Sequence, residues 1–239
     1  MKILFKIKIH IFFYIFAIIC IFNGLFKDFI YIMSIILFHE IGHIIVGIYY
    51  RWKIKKIVIL PMGGITIFEC LINTKLKEEF LVTIAGPIFQ CLLFLINNEQ
   101  FIYYNKLILI FNLIPIIPLD GSKIVNIIFN KLFSFNLSYK LSNILSIFFI
   151  IILLYISNGL MEILILMFLI IKTIDSIIKN KYIFNKFLFE RYLYKFNFKN
   201  NKIVNNIYSM KKDYKHLFYI DKTYKTEREI LLKKFDKQG

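Results

Sequence analysis

Proline, glycine, cysteine and acidic residues are all scarce in this chain of 239 residues, which has 4 Pro, 9 Gly, 3 Cys and 15 Asp and Glu together. The three cysteines, at positions 20, 70 and 91, have no metal-binding or redox spacing. So few cysteines exclude a disulfide-rich fold. The low content of glycine and proline excludes a collagen-like chain, and the low content of charged residues argues against disorder.

Apolar residues take the place of those that are scarce. Hydrophobic residues make up 59% of the chain, and the mean hydropathy is +0.67. Soluble globular proteins contain about 45–50% apolar residues, and a chain of this size cannot bury the excess in one core. The composition therefore excludes a soluble enzyme and predicts a multi-pass membrane protein.

Six stretches are apolar enough to cross a bilayer, which needs about 20 mostly apolar residues per helix. Between the second and third of them, β-branched residues on either side of Pro61–Gly64 predict a short, membrane-associated β-hairpin. The predicted fold is an all-α polytopic membrane protein with this hairpin, in which residues 1–178 form a membrane domain and residues 179–239 a basic tail. The predicted spans are 9–26, 29–50, 78–96, 103–119, 141–157 and 160–178.

Positive charge is unevenly distributed along the chain. Residues 1–178 carry 15 Lys and Arg against 9 Asp and Glu, whereas residues 179–239 carry 16 against 6. With the N-terminus inside, the internal segments hold 28 Lys and Arg, and the outer turns hold only Lys27 and Lys106. Because cytoplasmic loops are enriched in Lys and Arg, the sequence predicts six crossings with both termini in the cytosol.

The basic tail has two predicted partners. Its lysines and arginines can bind anionic lipid headgroups, each contributing about 1 kcal/mol near the membrane surface, or they can bind an acidic substrate protein. The sequence contains no recognisable nucleic-acid-binding motif, so nucleic acid is not an expected partner.

The second predicted span contains the motif His39-Glu40-Ile41-Gly42-His43. Residues four apart on a helix lie on one face, about 6 Å apart along the axis, so both imidazoles can bind one Zn²⁺. Glu40 then lies beside the metal, where it can take a proton from the attacking water and deliver it to the leaving amine. Helix–helix packing is the alternative explanation, but a charged group at mid-bilayer costs at least about 2.5–3.5 kcal/mol.

A catalytic zinc site uses three protein ligands, and several acidic residues are candidates for the third. Most of them flank lysines or lie at the edges of predicted spans, as solvated groups do. Asp120 differs because it follows Pro115 and Pro118, which break a predicted span. Broken membrane helices line cavities, so a carboxylate at this point can reach a metal held by another span.

Four motifs occur in an order that resembles the site-2 protease (M50) family of intramembrane zinc metalloproteases. They are HEIGH, Gly63-Gly64, Ala85-Gly86-Pro87 and NLIPIIPLDG, and the resemblance covers the predicted core at about residues 29–125. It implies one zinc ion per chain, bound by His39, His43 and Asp120. It further implies that Glu40 is the catalytic base of a protease in the cell membrane.

The resemblance also implies a substrate-binding region. Gly63-Gly64 would lie in a strand that pairs with an extended substrate segment. Asn112 can hydrogen-bond within its own helix or hold the substrate backbone, and Pro115 and Pro118 complete the predicted substrate-binding set. For Ala85-Gly86-Pro87, close helix packing is favoured over a role in the chemistry.

The six-span layout with a cytosolic tail is most similar to the sporulation branch of this family. That similarity implies a membrane-associated substrate such as pro-sigma-K, membrane inhibitor proteins as partners, and a location in the outer forespore membrane. One alternative is an M50-type protease with another substrate, such as an anti-sigma factor or a signal-peptide remnant. Another is a non-catalytic metal-binding or transport protein, although a transporter is expected to have broken helices in both halves and this sequence has one proline-broken span.

Overall fold

The computed structural model describes residues 6–9, 11–60, 63–220 and 222–236. Within these ranges the chain is mostly helical, with eight α-helices and six short β-strands. The helices are α1 (Ile11–Phe22), α2 (Phe26–Tyr49), α3 (Leu76–Leu92), α4 (Glu99–Leu113), α5 (Asp120–Leu132), α6 (Phe135–Ile156), α7 (Leu160–Leu193) and α8 (Glu227–Phe235). The strands are β1 (Lys6–Ile9), β2 (Lys53–Leu60), β3 (Gly63–Glu69), β4 (Asn200–Val204), β5 (Tyr214–Ile220) and β6 (Thr223–Thr226).

The chain is mostly helical, as predicted. The all-α prediction is corrected by two three-stranded sheets. The first sheet contains the predicted hairpin: β2 and β3 are antiparallel, and β1 adds to β2 in parallel. Gly63 and Gly64 pair with Leu60 and Ile59 inside the ladder, so they lie in a strand, as the resemblance implies, and not in the turn of the predicted hairpin. The remaining predicted turn residues, Pro61–Met62, lie outside the described residues.

Helices occur at all six predicted spans, but fewer of them are confirmed as candidates for crossing a membrane. Among the described residues, three helices are long and apolar enough for this: Phe26–Tyr49, Leu76–Leu95 and Phe135–Ile156. They correspond to the second, third and fifth predicted spans. The number of crossings and the cytosolic position of both termini stay predictions.

Contacts divide the chain into two compact units, Met1–Cys70 with Phe80–Ile114 and Leu71–Glu79 with Pro115–Gly239. In the first unit, α2 and α3 approach closely at Gly42. A Cβ at this position would lie 2.6 Å from the Ala85 carbonyl oxygen and 2.9 Å from the Phe89 Cβ. The close helix packing predicted for the Ala-Gly-Pro motif is therefore present at Ala85.

The second unit contains a folded tail. Its buried core consists of apolar side chains from α6, α7, α8, β4 and β5 and from the loop before β5. In its sheet, β4 is parallel to β5, and β5 is antiparallel to β6. The tail is thus a small α/β element. The core side chains are Phe135, Phe184, Phe187, Leu188, Val204, Met210, Phe218 and Leu231.

An ion network lies inside this unit, next to the core. Arg191 on α7 forms an ion pair with Glu227 on α8, at 3.1 Å, and the Arg191 side chain is 1% exposed. His216 on β5 accepts from the backbone N–H of Lys211 through Nε2, at 3.0 Å, so its neutral form carries the proton on Nδ1, which lies 3.2 Å from the Glu227 carboxylate. Burial lowers the pKa of His216, and the charges of Arg191 and Lys202 lower it further. The hydrogen bond with Glu227 raises it, but the pKa stays below its ordinary value.

This network predicts that acid destabilises the tail. An unfolded histidine gains its proton near pH 6.5, while folded His216, with its lowered pKa, stays neutral to a lower pH. Burial raises the pKa of Glu227, but His216 and Arg191 together lower it below its usual value, so this carboxylate acts in the same direction at still lower pH. Below about pH 6.5 the unfolded state therefore binds more protons, and stability is lost as the pH falls.

The measurement is the denaturant midpoint of the full chain in detergent between pH 8 and pH 5, with the His216→Gln variant as comparison. We expect the wild-type free energy of unfolding to fall by up to about 1.4 kcal/mol per pH unit below pH 6.5, and the variant to show a flatter profile. A wild-type profile that is flat, or that rises toward acid pH, would contradict the assignment.

Candidate metal centre

The two predicted histidine ligands lie side by side on α2. His39 is 3% exposed and His43 is 5% exposed. Their Nε2 atoms are 3.1 Å apart, because residues four apart on an α-helix lie one above the other. The helix thus presents two ring nitrogens to the same small volume.

The other nitrogen of each ring is held by an oxygen atom on α3. His43 Nδ1 lies 2.7 Å from the backbone carbonyl oxygen of Val82, and His39 Nδ1 lies 2.8 Å from Oε1 of Gln90. A carbonyl oxygen can only accept, so each Nδ1 carries the proton and each Nε2 presents a lone pair. Two lone pairs that face each other at 3.1 Å repel, and a cation bound by both removes that repulsion.

Gly86 on α3 keeps the space beside these lone pairs open. A Cβ at this position would lie 2.3 Å from Nε2 of His43 and 2.7 Å from Nε2 of His39. Real Cβ contacts are never this short, so any other residue would displace the imidazoles. Paired lone pairs beside a glycine fit a bound metal ion, and neutral imidazoles are common zinc ligands.

Glu40 lies next in sequence to His39 and is 4% exposed. Its Oε2 accepts a hydrogen bond from the Thr66 hydroxyl on β3. A Cβ at Gly64 would lie 2.4 Å from Cγ and 2.6 Å from Cδ of Glu40. Strand β3 therefore lies directly against the carboxylate, and one predicted substrate-binding glycine, Gly64, contacts the predicted base.

The second unit contains the predicted third ligand, Asp120. It is the first residue of α5 and is 5% exposed, and its Oδ1 lies 2.7 Å from Nζ of Lys123. Like His39 and His43, Asp120 is buried and offers one atom that could bind a metal ion.

The remaining predicted substrate residues are found in or next to α4. Asn112 is buried near the end of this helix. The Pro115 carbonyl accepts from the Ser146 hydroxyl at 3.3 Å, and the same hydroxyl accepts from the backbone N–H of Ile117 at 3.3 Å. Ser146 thereby fixes the segment that contains Pro115 and Pro118 to helix α6.

Four residues at this centre have no assigned role in the sequence prediction: Thr66, Val82, Gln90 and Asn105. Val82 acts through its backbone carbonyl, which leaves no trace in the sequence. Gln90 and Asn105, however, are polar residues within predicted apolar spans, and intramembrane polar residues are expensive and functional by default. Their position within apolar spans is therefore enough to identify both as candidate functional residues from the sequence, although it does not identify their partners.

Comparison with known proteins gives concordant similarities. Residues 28–98 match the model of peptidase family M50. The stage IV sporulation protein FB of Bacillus subtilis is 35% identical over 150 aligned positions, and the match covers 57% of this chain and 52% of that protein. A zinc metalloprotease of Methanocaldococcus jannaschii is 29% identical over 159 aligned positions, and the match covers 57% of this chain and 46% of that protein. The chain thus spans about half the length of these curated relatives.

Among solved structures, the site-2 protease from Methanocaldococcus jannaschii is similar with a TM-score of 0.57 and 26% identity, over 71% of this chain and 89% of that one. The matched family range includes both histidines, Glu40, Gly64, Gly86 and Gln90. Two of these relatives are named as a zinc metalloprotease and a site-2 protease. The resemblance of this chain to the site-2 protease (M50) family, predicted from its motifs, is confirmed.

Proposed function

We propose that this chain is an intramembrane zinc endopeptidase that hydrolyses a peptide bond of a membrane-associated regulatory protein. The observation that carries the proposal is the pair of Nε2 atoms 3.1 Å apart, with both Nδ1 atoms held by oxygen acceptors. A carboxylate on the adjacent residue, Glu40, favours a catalyst over a protein that only binds or transports a metal ion.

Three residues would hold the zinc ion: His39, His43 and Asp120. Two imidazoles and one carboxylate are a donor set that catalytic zinc sites use, with a further position left for water or substrate. A bound zinc ion supplies a Lewis acid that polarises the scissile carbonyl and lowers the pKa of the attacking water. The M50 similarity and the buried position of all three side chains support this assignment.

Glu40 would act as the general base and then as the general acid. Its carboxylate takes a proton from the attacking water and delivers it to the nitrogen of the leaving amine, so one group serves both halves of the hydrolysis. The hydrogen bond from Thr66 orients Oε2. Close contact with Gly64 limits the rotation of the carboxylate.

Strand β3 would hold the substrate in an extended conformation. In the described part of the first sheet, β3 is an edge strand, paired with β2 on one side. An edge strand offers backbone N–H and C=O groups to an added strand, and peptide hydrolysis requires an extended, accessible backbone. Gly63, Gly64, Asn112, Pro115 and Pro118 are the proposed substrate contacts.

The proposed substrate class is a pro-sigma factor of the pro-sigma-K type, cleaved in the membrane of a sporulating cell. The similarity to the stage IV sporulation protein FB supports this choice. The tail's excess of ten positive charges, from 16 basic and 6 acidic residues, fits an acidic partner segment or anionic lipid at the cytosolic surface. Membrane inhibitor proteins are further proposed partners, and an anti-sigma factor or signal-peptide remnant is the alternative substrate.

Co-expression tests the function and the substrate separately. The full chain is expressed with a pro-sigma-K-like substrate and, in parallel, with a membrane anti-sigma factor, and the cleaved fractions are read on gels. Cleavage of the pro-sigma substrate alone is the expected result. Cleavage of only the other protein would refute the sporulation assignment and retain the protease. Cleavage of neither protein, nor of a signal-peptide remnant tested in the same way, would contradict the protease.

Asp120→Ala is predicted to abolish tight zinc binding by the purified full chain. Removal of a residue that only hydrogen-bonds to a ligand costs roughly 10–100-fold in metal affinity, and loss of the ligand itself should cost more. The matched control is Glu69→Ala, because Glu69 is an exposed acidic residue at the end of β3. Undiminished zinc affinity in Asp120→Ala, with loss in Glu69→Ala, would overturn the ligand assignment.

A further inference from the structure

Gln90 and Asn105 form a buried chain of amide groups that ends on His39. Both residues are 0% exposed. Gln90 lies on α3 and Asn105 on α4, so the chain joins three helices of the first unit through their polar side chains. Neither side chain has a place in the proposed ligand set or in the proton transfer by Glu40.

The orientation of the Gln90 amide follows from its surroundings. Its Nε2 lies 3.0 Å from the backbone carbonyl oxygen of Asn105 and 3.1 Å from Oδ1 of Asn105. Two acceptors on one side require the NH₂ group there, so Oε1 has to face the opposite way, toward Nδ1 of His39 at 2.8 Å. The reverse orientation would place oxygen against two oxygens.

Asn105 is itself fixed at both ends of its amide. Its Nδ2 lies 3.4 Å from the backbone carbonyl oxygen of Gln90, which orients Oδ1 toward the Gln90 side chain. The two amides thus hold each other in a single arrangement, and in an apolar helix bundle no water competes for these groups. Rotation of either amide would break at least two hydrogen bonds.

We propose that Gln90, held by Asn105, is a positioning residue that fixes the tautomer of His39 and so prepares its Nε2 for zinc. This inference rests on the proposed function. His43 needs no such device, because the backbone carbonyl of Val82 is an obligatory acceptor. A side-chain amide, in contrast, can present either its oxygen or its NH₂ group to His39. The NH₂ group would favour the tautomer with the proton on Nε2, and Asn105 prevents that orientation.

The test compares zinc affinity across variants of the purified full chain, by competition with a chromophoric chelator. Gln90→Met removes the acceptor at similar volume and should weaken zinc binding by about 10–100-fold, as loss of a hydrogen bond to a ligand histidine does. Gln90→Glu keeps an oxygen for His39 Nδ1, and in its protonated form it also keeps a donor toward the two oxygens of Asn105. Zinc affinity should therefore stay within a few-fold of wild type. Asn105→Leu leaves the Gln90 oxygen in place but lets the Gln90 amide rotate. We therefore expect a smaller loss of zinc affinity than in Gln90→Met.

A matched control separates this role from a general loss of a buried hydrogen bond. Asn143 on α6 is 4% exposed and accepts from the Ser176 hydroxyl at 2.8 Å, so Asn143→Leu removes a comparable buried amide in the second unit. It should lower thermal stability without changing zinc affinity. As a second readout, nitrogen-15 NMR of histidine-labelled, metal-free protein should show His39 protonated on Nδ1 in wild type and a mixture of tautomers in Gln90→Met.

Each outcome decides the inference. Wild-type zinc affinity and an unchanged His39 tautomer in Gln90→Met would overturn it while the zinc protease stands. Equal losses of affinity in Gln90→Met and Gln90→Glu, in proportion to their thermal stability, would reduce Gln90 to a packing residue and also overturn it. A wild-type chain that binds no zinc would remove the proposed function and this inference together.

Discussion

Glu40→Gln is expected to retain zinc and substrate and to lose proteolysis. Glutamine has the shape of glutamate, so it can accept the hydrogen bond from Thr66 and fit against Gly64. It lacks the basic carboxylate, so no group can take the proton from the attacking water or return it to the leaving amine. Positioned proton transfer typically contributes about 10²–10⁴-fold to the rate, and we expect a loss of that size in the cleaved fraction of a co-expressed pro-sigma-K-like substrate.

The matched control for this variant is Glu99→Gln. Glu99 is exposed at the start of α4, and the same change there should leave cleavage near the wild-type level. Metal analysis of Glu40→Gln should give the zinc content of wild type, which distinguishes a lost base from a lost metal. Cleavage at the wild-type rate by Glu40→Gln would refute the proposed mechanism.

Gly86→Ala is expected to abolish both zinc binding and proteolysis, although it adds a single methyl group. That methyl group would lie 2.3 Å from Nε2 of His43 and 2.7 Å from Nε2 of His39. Each imidazole is held from behind by its Nδ1 contact, so neither can retreat without breaking a buried hydrogen bond. Overpacking of a tight site costs typically about 1–3 kcal/mol in stability, but the larger effect is displacement of both nitrogens from the metal position.

Gly159→Ala is the control for Gly86→Ala. A Cβ at Gly159 meets nothing nearer than 3.5 Å, the distance to Cδ of Glu162, which is an ordinary van der Waals contact. Zinc content and cleavage should be unchanged in this variant. If Gly86→Ala bound zinc and cleaved substrate like wild type, the metal could not lie beside the paired Nε2 atoms.

The pairing of the two histidines could be predicted because it depends on local geometry. Helical periodicity alone brings His39 and His43 together, and the contact between their Nε2 atoms agrees with it. The hairpin could be predicted from its β-branched residues for the same reason. The β-branched pattern alone placed Gly63 and Gly64 in the turn of the hairpin, whereas the family resemblance placed them in a strand. They lie in strand β3, where Gly64 passes against Glu40.

The partners of the histidines could not be predicted, because they depend on how separate helices pack. Gln90 is 51 positions from His39 and 15 positions from Asn105, and no short-range pattern encodes those distances. Gly86 illustrates the same limit. Its motif favoured helix packing, which is present at Ala85, while the next residue lies against both imidazoles. The strands of the second sheet could not be located from the sequence, because they have only four to seven residues each, too few for a clear alternating pattern.

The central claim is that the paired imidazoles of α2 hold a zinc ion, and metal analysis of the full chain tests it most directly. The protein is purified in detergent, supplied with zinc and dialysed, and its zinc-to-protein ratio is compared with that of the His39→Ala/His43→Ala double variant. We predict close to one zinc per wild-type chain and almost none in the double variant. A wild-type chain without zinc, or a double variant that retains it, would contradict the account.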